Sequence, residues 1–333
     1  MQERSIKLNK NGYEPFIDAL KGFAIFFVVI NHSLPEEIRK LLVFDLWGGM
    51  GVPVFLLIQS FHFYKKGIQV NKGINWRRVV LNVVAPFLLV EFIIVLVKSI
   101  GSNFIDSVIS VFGSGKGGPG DYYIWIYLQF VVLLPIIRIV FRQLSSVGIA
   151  VFMILASALL EVVSCTLIFE SPVLYKYVFF RYFFLIYLGY LWTKNGIMLN
   201  IKTLMLSVFS IISIIVFDYT DIDLSPIFYS KGWRAFHWIC YFYTASLFIF
   251  FINALYTKIS SLFQKIIRYI GRYSWEVFCT QLVVFSFLTP SMLNIENTLL
   301  LGLVYLLITI SLSFSYPVLV FCVKRIRQIF FNA

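Results

Sequence analysis

The chain has 333 residues, of which 60% are hydrophobic and only 13% charged, with a formal net charge of +12. That balance excludes a water-soluble domain of this size, in which about a quarter of the residues would be charged, and it places the chain in a membrane. The positive charge alone excludes little, because basic residues bind nucleic acid in soluble proteins but also collect on the cytoplasmic side of membrane proteins.

In chain order, Arg4, Lys7 and Lys10 precede the first apolar run as they would in a secretory signal. Asp18 and Lys21 interrupt that run and no small-x-small cleavage site follows, so it reads as a retained helix. Ten runs approach the 20 or so apolar residues that a spanning helix needs: 16–34, 47–64, 79–99, 122–141, 147–169, 177–192, 201–217, 235–256, 273–289 and 298–323. Aromatic residues, 19% of the chain, cluster near the ends of these runs, where amphipathic rings favour the interface. Nothing repeats convincingly. Cys165, Cys240, Cys279 and Cys322 all lie inside apolar runs without CxxC spacing, which frames neither a disulfide nor a zinc site, and no metal is expected.

If the N-terminus is cytoplasmic, the inner segments carry nineteen Lys and Arg and the outer loops six. Most of the acids, including Glu36, Glu37, Asp218, Asp221 and Asp223, fall on the outer side. The split follows the positive-inside rule, fits an even number of spans, and accounts for the basic charge without nucleic acid. The expected fold is an all-α integral membrane protein, a bundle of about ten transmembrane helices with both termini cytoplasmic. It is read as a single transmembrane domain over 1–333 with no appended soluble domain.

The first run, IDALKGFAIFFVVINHS, carries three ionisable groups, Asp18, Lys21 and His32. Lys21 and His32 are separated by about three helical turns, a rise of roughly 16 Å, at nearly the same azimuth. Asp18 precedes Lys21 by one turn on that face. Ionisable groups inside a span are costly, so they normally face the bundle interior and mark a path or a site. A purely structural assignment also stands: an Asp18–Lys21 pair at the helix mouth, with His32 capping the outer end. Glu91, Gln129, Glu161, Arg181 and Gln281 are further polar groups in or near spans, suited to a cavity or to holding helices together.

The order Ile17-Asp18-Ala19-Leu20-Lys21, ten residues, His32, a short acidic loop and then GGMGVPVFLLIQSFHF over 48–63 resembles the bacterial acyltransferase 3 family. These membrane enzymes carry a basic residue, ten others and a histidine in their first helix, followed by a glycine-rich start to the second. Arg77-Arg78 before Pro86, GPGDYYIWIYLQ over 118–129 and IGRYSWEVFCTQ over 270–281 are similar in the same order, so the resemblance covers nearly the whole chain. Four features depart from the pattern, one being the absence of the arginine often found a turn after the basic pair. Lys21 stands where Arg is usual, which keeps the charge but loses the planar two-pronged donor. Gln59-Ser60-Phe61 replaces Ser-Gly-Phe, and Gln281 lies where many members have a histidine.

The resemblance implies transfer of an acyl group, most often acetyl, from cytoplasmic acyl-CoA to a hydroxyl of a cell-surface glycan or its lipid-linked precursor. It thus implies an O-acetyltransferase of the bacterial cytoplasmic membrane, with acetyl-CoA as co-substrate rather than a resident cofactor. His32 becomes a general base for the sugar hydroxyl, an imidazole being suited to that transfer near neutral pH; an acyl-histidine intermediate stays open. Asp18 lies roughly 21 Å from His32 along the helix. It is therefore expected to pair with Lys21, which in turn holds the donor's pantetheine arm or polarises its carbonyl. Lys65, Lys66, Arg77 and Arg78 form an acid-free basic patch suited to the coenzyme A phosphates, with Ser60 in the adjoining motif. Tyr122, Tyr123, Arg234 and His237, with Trp233 and Trp238, suit a sugar platform on the outer side. Arg181, Gln129 and Gln281 are candidates to line the cavity.

Two other classes compete. A polytopic transporter or flippase of a glycan or small anion also has many spans and buried charges, but the polar motif of the first helix has no counterpart in the second half. A scaffold without chemistry gives no reason for the aligned Lys21 and His32.

Overall fold

A computed structural model of the protein describes residues 15–42, 44, 47–69, 74–113, 118–167, 172–196, 201–219 and 237–331. Among the described residues there is no strand. The helices follow in the order α1 (Pro15–Ser33), α2 (Glu36–Leu41), α3 (Gly51–Gln69), α4 (Trp76–Val79), α5 (Ala85–Ser99) and α6 (Phe104–Val108). The middle of the chain forms α7 (Tyr122–Gln143), α8 (Ser146–Leu167), α9 (Pro172–Tyr177), α10 (Phe184–Asn195) and α11 (Ile201–Tyr219). The remainder forms α12 (Thr244–Lys258), α13 (Ser261–Arg272), α14 (Ser274–Phe287), α15 (Thr298–Ser313) and α16 (Ser315–Phe331).

Among the described residues, five helical stretches are long and apolar enough to cross a membrane: Pro15–Ser33, Trp76–Ser99, Tyr122–Gln143, Ser146–Thr166 and Trp238–Lys258. A sixth results if α15 and Ser315–Val323, bent by 41° at their junction, count as one span. The other expected runs are helical but shorter or more polar. α3 carries Lys65 and Lys66, α14 has 14 residues, and the apolar part of α11 is Ile201–Val216.

The expected run 177–192 is broken between α9 and α10 by a tight turn at Phe180–Tyr182. Gln129 of α7 explains how the break persists. Its amide nitrogen donates to the Tyr177 carbonyl at 2.7 Å, and its amide oxygen accepts from the Phe179 N–H at 3.0 Å. Backbone groups freed inside a membrane must find partners in the protein, and this side chain supplies two.

By internal packing the chain divides into two compact units. One comprises Pro15–Phe44, Asn75–Asp121 and Lys258–Ala333 and contains His32; the other includes Asp45–Ile74 and Tyr122–Thr257 and contains Arg181. In the His32 unit, α1 packs on α13, α14 and α15, and α14 also packs on α5 and α16. Helices in lipid gain little from burying apolar surface against each other, so small residues and interhelical hydrogen bonds select their partners. α1 and α13 cross where Gly22 faces the Ile267 carbonyl and Gly271 faces the Asp18 carbonyl; a methyl group at either glycine would collide with backbone. At the other end of α1, the Ser33 hydroxyl lies 2.6 Å from that of Thr309 on α15.

In the Arg181 unit, α10 packs on α3 and α8, and α3 packs on α7. Gly189 admits Ser60 in the α3–α10 contact, since a methyl group there would come within 2.5 Å of the Ser60 Cβ.

Candidate functional site

Helix α1 is unbroken from Pro15 to Ser33, so Lys21 and His32 share a face. Asp18 is buried near its start. Its carboxylate meets Lys21 Nζ at 3.1 Å and accepts from Arg272 Nε of α13, also at 3.1 Å. Lys21 is thus anchored near the start of the helix beside a second cation, which lies 254 residues beyond Asp18 in the chain.

Three turns on, the half-buried His32 ring packs edge-on against Phe285 of α14, with centroids 6.0 Å apart. Phe285 in turn approaches Tyr305 of α15, at 6.3 Å, and the Tyr305 hydroxyl donates to the Leu288 carbonyl at 2.8 Å. These contacts, with the Ser33–Thr309 pair next to it, fix the backbone that carries the imidazole.

One turn before Phe285 on α14 lies Gln281, fully buried. The loop 118–121 covers this part of the helix, entered through Gly118 and Gly120, both with positive φ (122° and 94°). Such backbone suits glycine, and so does the space: a methyl group at Gly120 would stand 3.2 Å from the Phe278 ring and 3.7 Å from Gln281 Nε2. Glu91, 1% exposed, projects from α5, which packs on the same helix. Among the described residues, neither carboxylate oxygen of Glu91 nor either amide atom of Gln281 has a hydrogen-bond partner. Leaving a buried polar group unsatisfied costs about 1–3 kcal/mol. Four such atoms on two packed helices of one unit therefore mark a place built to receive hydrogen-bonding groups.

The other predicted residues are distributed as follows. Arg77 and Arg78 are exposed on α4, where the Asn75 side chain caps the helix by accepting from the Arg78 N–H at 3.0 Å. They belong to the His32 unit. Lys65 belongs to the other unit and lies 5.5 Å from the Phe61 ring. Ser60 is fully buried, and its hydroxyl donates to the Leu56 carbonyl at 3.1 Å. The Lys66 side chain, Trp233 and Arg234 lie outside the described residues.

Arg181 is fully buried among tyrosines: its guanidinium carbon sits 4.5 Å from the Tyr182 ring centroid, 5.3 Å from Tyr122 and 5.7 Å from Tyr175. The Tyr175 hydroxyl donates to Glu161 of α8 at 3.0 Å, and Tyr182 stacks on Tyr241 at 5.1 Å. Tyr123 is buried 6.0 Å from the Phe55 ring. His237 is fully buried, with Cys240 Sγ 3.7 Å from its Nε2. Gln129 spends its amide on the break between α9 and α10.

The structure thus brings Asp18, Lys21, His32 and Gln281 into one unit and adds Arg272, Glu91 and the glycine turn. Glu91 had a readable signal, an acid in an apolar run; Arg272 lies in the motif over 270–281, but its pairing with Asp18 emerges only from the α1–α13 crossing. Among the described residues no group of three or more His, Cys, Asp or Glu is placed to hold a metal ion.

Residues 14–318 match the family model Acyl_transf_3, described as an acyltransferase domain. The chain belongs to that family and is a multi-pass membrane acyltransferase. No curated protein and no solved structure matches it.

Proposed function

We propose that this protein is an O-acyltransferase of the bacterial cytoplasmic membrane. It moves an acyl group, acetyl in the first instance, from cytoplasmic acyl-CoA to a hydroxyl of a surface polysaccharide or its lipid-linked precursor. The observation that carries this reading is the position of His32: a half-buried imidazole held against α14, the helix that also carries Gln281 with its open hydrogen-bonding capacity. Glu91 and Gln281 together offer acceptors and a donor, the complement of neighbouring sugar hydroxyls.

His32 takes the hydroxyl proton as the oxygen attacks the thioester carbonyl. The carbon–sulfur bond then breaks, and the departing thiolate recovers the proton, so ester and free thiol form without net proton release. Lys21, held by Asp18 at the inner end of the same face, guides the donor arm. Arg77 and Arg78, exposed and basic, draw the anionic donor toward the inner surface by long-range attraction. Both termini are cytoplasmic in this scheme, the orientation that the distribution of Lys and Arg supports.

The test uses detergent-purified full-length protein and its native membranes. Acetyl-CoA should bind saturably. His32→Ala should lower acyl transfer by about 10²-fold or more while leaving the folded yield and acetyl-CoA binding intact. Undiminished glycan acylation by His32→Ala protein would remove the imidazole from the chemistry.

A further inference from the structure

Within the Arg181 unit, the C-terminal ends of α7 and α10 and the second half of α3 surround a cavity of about 300 Å³. Its lining combines three cations, Arg138, Arg142 and Lys194, with three rings, Tyr64, Phe141 and Tyr190, and includes no acid. Tyr64 and Phe141 stack at 5.8 Å with 12° between their planes. Tyr190 stands edge-on to both, at 5.3 Å and 5.0 Å. Lys194 Nζ lies 5.9 Å from the Tyr190 ring.

Positive-inside charge and the negative ends of helix dipoles account for cations at the ends of α7 and α10. They do not account for the concavity, or for Tyr64. That side chain is 6% exposed, and its hydroxyl oxygen, in a residue lining the cavity, has no hydrogen-bond partner among the described residues. A buried phenol in a lining with three basic side chains and no acidic one suits an anionic, hydrogen-bonding occupant. Three basic side chains suit an occupant with more than one negative charge, and the ring cluster suits one with a flat heterocycle.

We propose that this cavity binds an adenine nucleotide carrying several phosphate charges, namely the phosphoadenosine end of the coenzyme A donor. Arg138, Arg142 and Lys194 take the phosphate oxygens, the Tyr64 hydroxyl takes one more polar contact, and the rings flank the base. The assignment of the nucleotide to coenzyme A rests on the acyl-CoA reading above.

The experiment measures equilibrium binding of adenosine 3′,5′-bisphosphate, coenzyme A and acetyl-CoA to the full-length protein in detergent. The unmodified protein should bind all three, with the bisphosphate competing against coenzyme A. Arg138→Gln/Arg142→Gln should weaken both by about tenfold or more. Lys258→Gln/Lys265→Gln, which removes the same charge outside the cavity, should change them less than about twofold. Tyr64→Phe, which deletes only the hydroxyl, should weaken the bisphosphate by about threefold in protein of unchanged melting temperature. Equal weakening by both double variants would reduce the effect to net charge and overturn the proposal. So would full coenzyme A binding by a folded cavity variant. If acetyl-CoA binds and the bisphosphate does not, the donor reading stands and the cavity assignment falls. If the bisphosphate binds through the cavity and no thioester does, the cavity is a nucleotide site and the donor reading falls.

Discussion

The two units bury charge in different ways. Arg181 is wholly enclosed and, among the described residues, its three guanidinium nitrogens donate no hydrogen bond, yet three tyrosine rings lie within 5.7 Å of its guanidinium carbon, and one of those tyrosines donates to Glu161. Glu91 and Gln281, in the other unit, are equally enclosed and also leave four polar atoms without hydrogen bonds among the described residues, so the difference lies in the ring faces around the Arg181 charge. Ring faces can stabilise a buried cation without hydrogen bonds, whereas an unsatisfied carboxylate or amide costs stability and is tolerated where something else completes it. Burial alone does not distinguish a structural charge from a functional one; the partners do.

The comparison is open to direct attack, and the largest effect should come from Arg181. Arg181→Leu removes the centre of the ring cluster and leaves polar tyrosine groups facing an apolar side chain. It should cost about 3 kcal/mol, from lost packing and lost cation–π attraction, read as a lower unfolding midpoint in detergent. A loss below about 1 kcal/mol, within the range of an ordinary substitution, would show that the rings stand without the cation, and Arg181 would then belong with the ligand-binding groups.

Asp18→Asn should have an intermediate effect. It weakens two contacts, to Lys21 and to the partly exposed Arg272, while the glycine crossing of α1 and α13 stays in place. About 1 kcal/mol is expected, and raising the salt concentration should shrink the difference between the two proteins.

Glu91→Leu should have the smallest effect on stability, with the unfolding midpoint unchanged or slightly raised, because a group with no hydrogen-bond partner among the described residues is being replaced by an apolar one. Acyl transfer should nonetheless fall by about tenfold as the acceptor loses a positioning contact. A marked drop in the midpoint would mean that the folded protein satisfies Glu91 after all, and the contrast between the units would collapse.

The polar face of α1 was legible in the sequence because helical spacing alone aligns Lys21 with His32. The order of motifs was legible too, and the match over residues 14–318 agrees with it. Other features depended on contacts distant in sequence. Hydropathy over 177–192 reads as one continuous helix, and only the Gln129 amide reveals why the chain can break there. The bend between α15 and α16 falls at Phe314, among Ser311, Ser313 and Ser315 and three residues before Pro317, a break signal that a count of long apolar runs passes over.

Helix α13 is a different case, since its pattern was present but disguised as a basic loop. Leu262, Phe263, Ile266, Ile267 and Ile270 repeat with helical spacing, and Ser260 caps the start by accepting from the Phe263 N–H at 3.3 Å. A test for periodicity rather than for long apolar runs would have found it. The pairing of Asp18 with Arg272 follows from that missed helix.

The α1–α13 crossing also acts as a ruler. Gly22 and Gly271 permit almost no sliding, since backbone meets backbone at both. His32 lies ten residues beyond Gly22, so whatever level α13 takes in the bilayer, the imidazole rides about 15 Å further along α1. That is roughly half the thickness of the hydrocarbon layer. A shift of amphipathic α13 by one turn's depth in the bilayer would carry the imidazole about 5 Å with it.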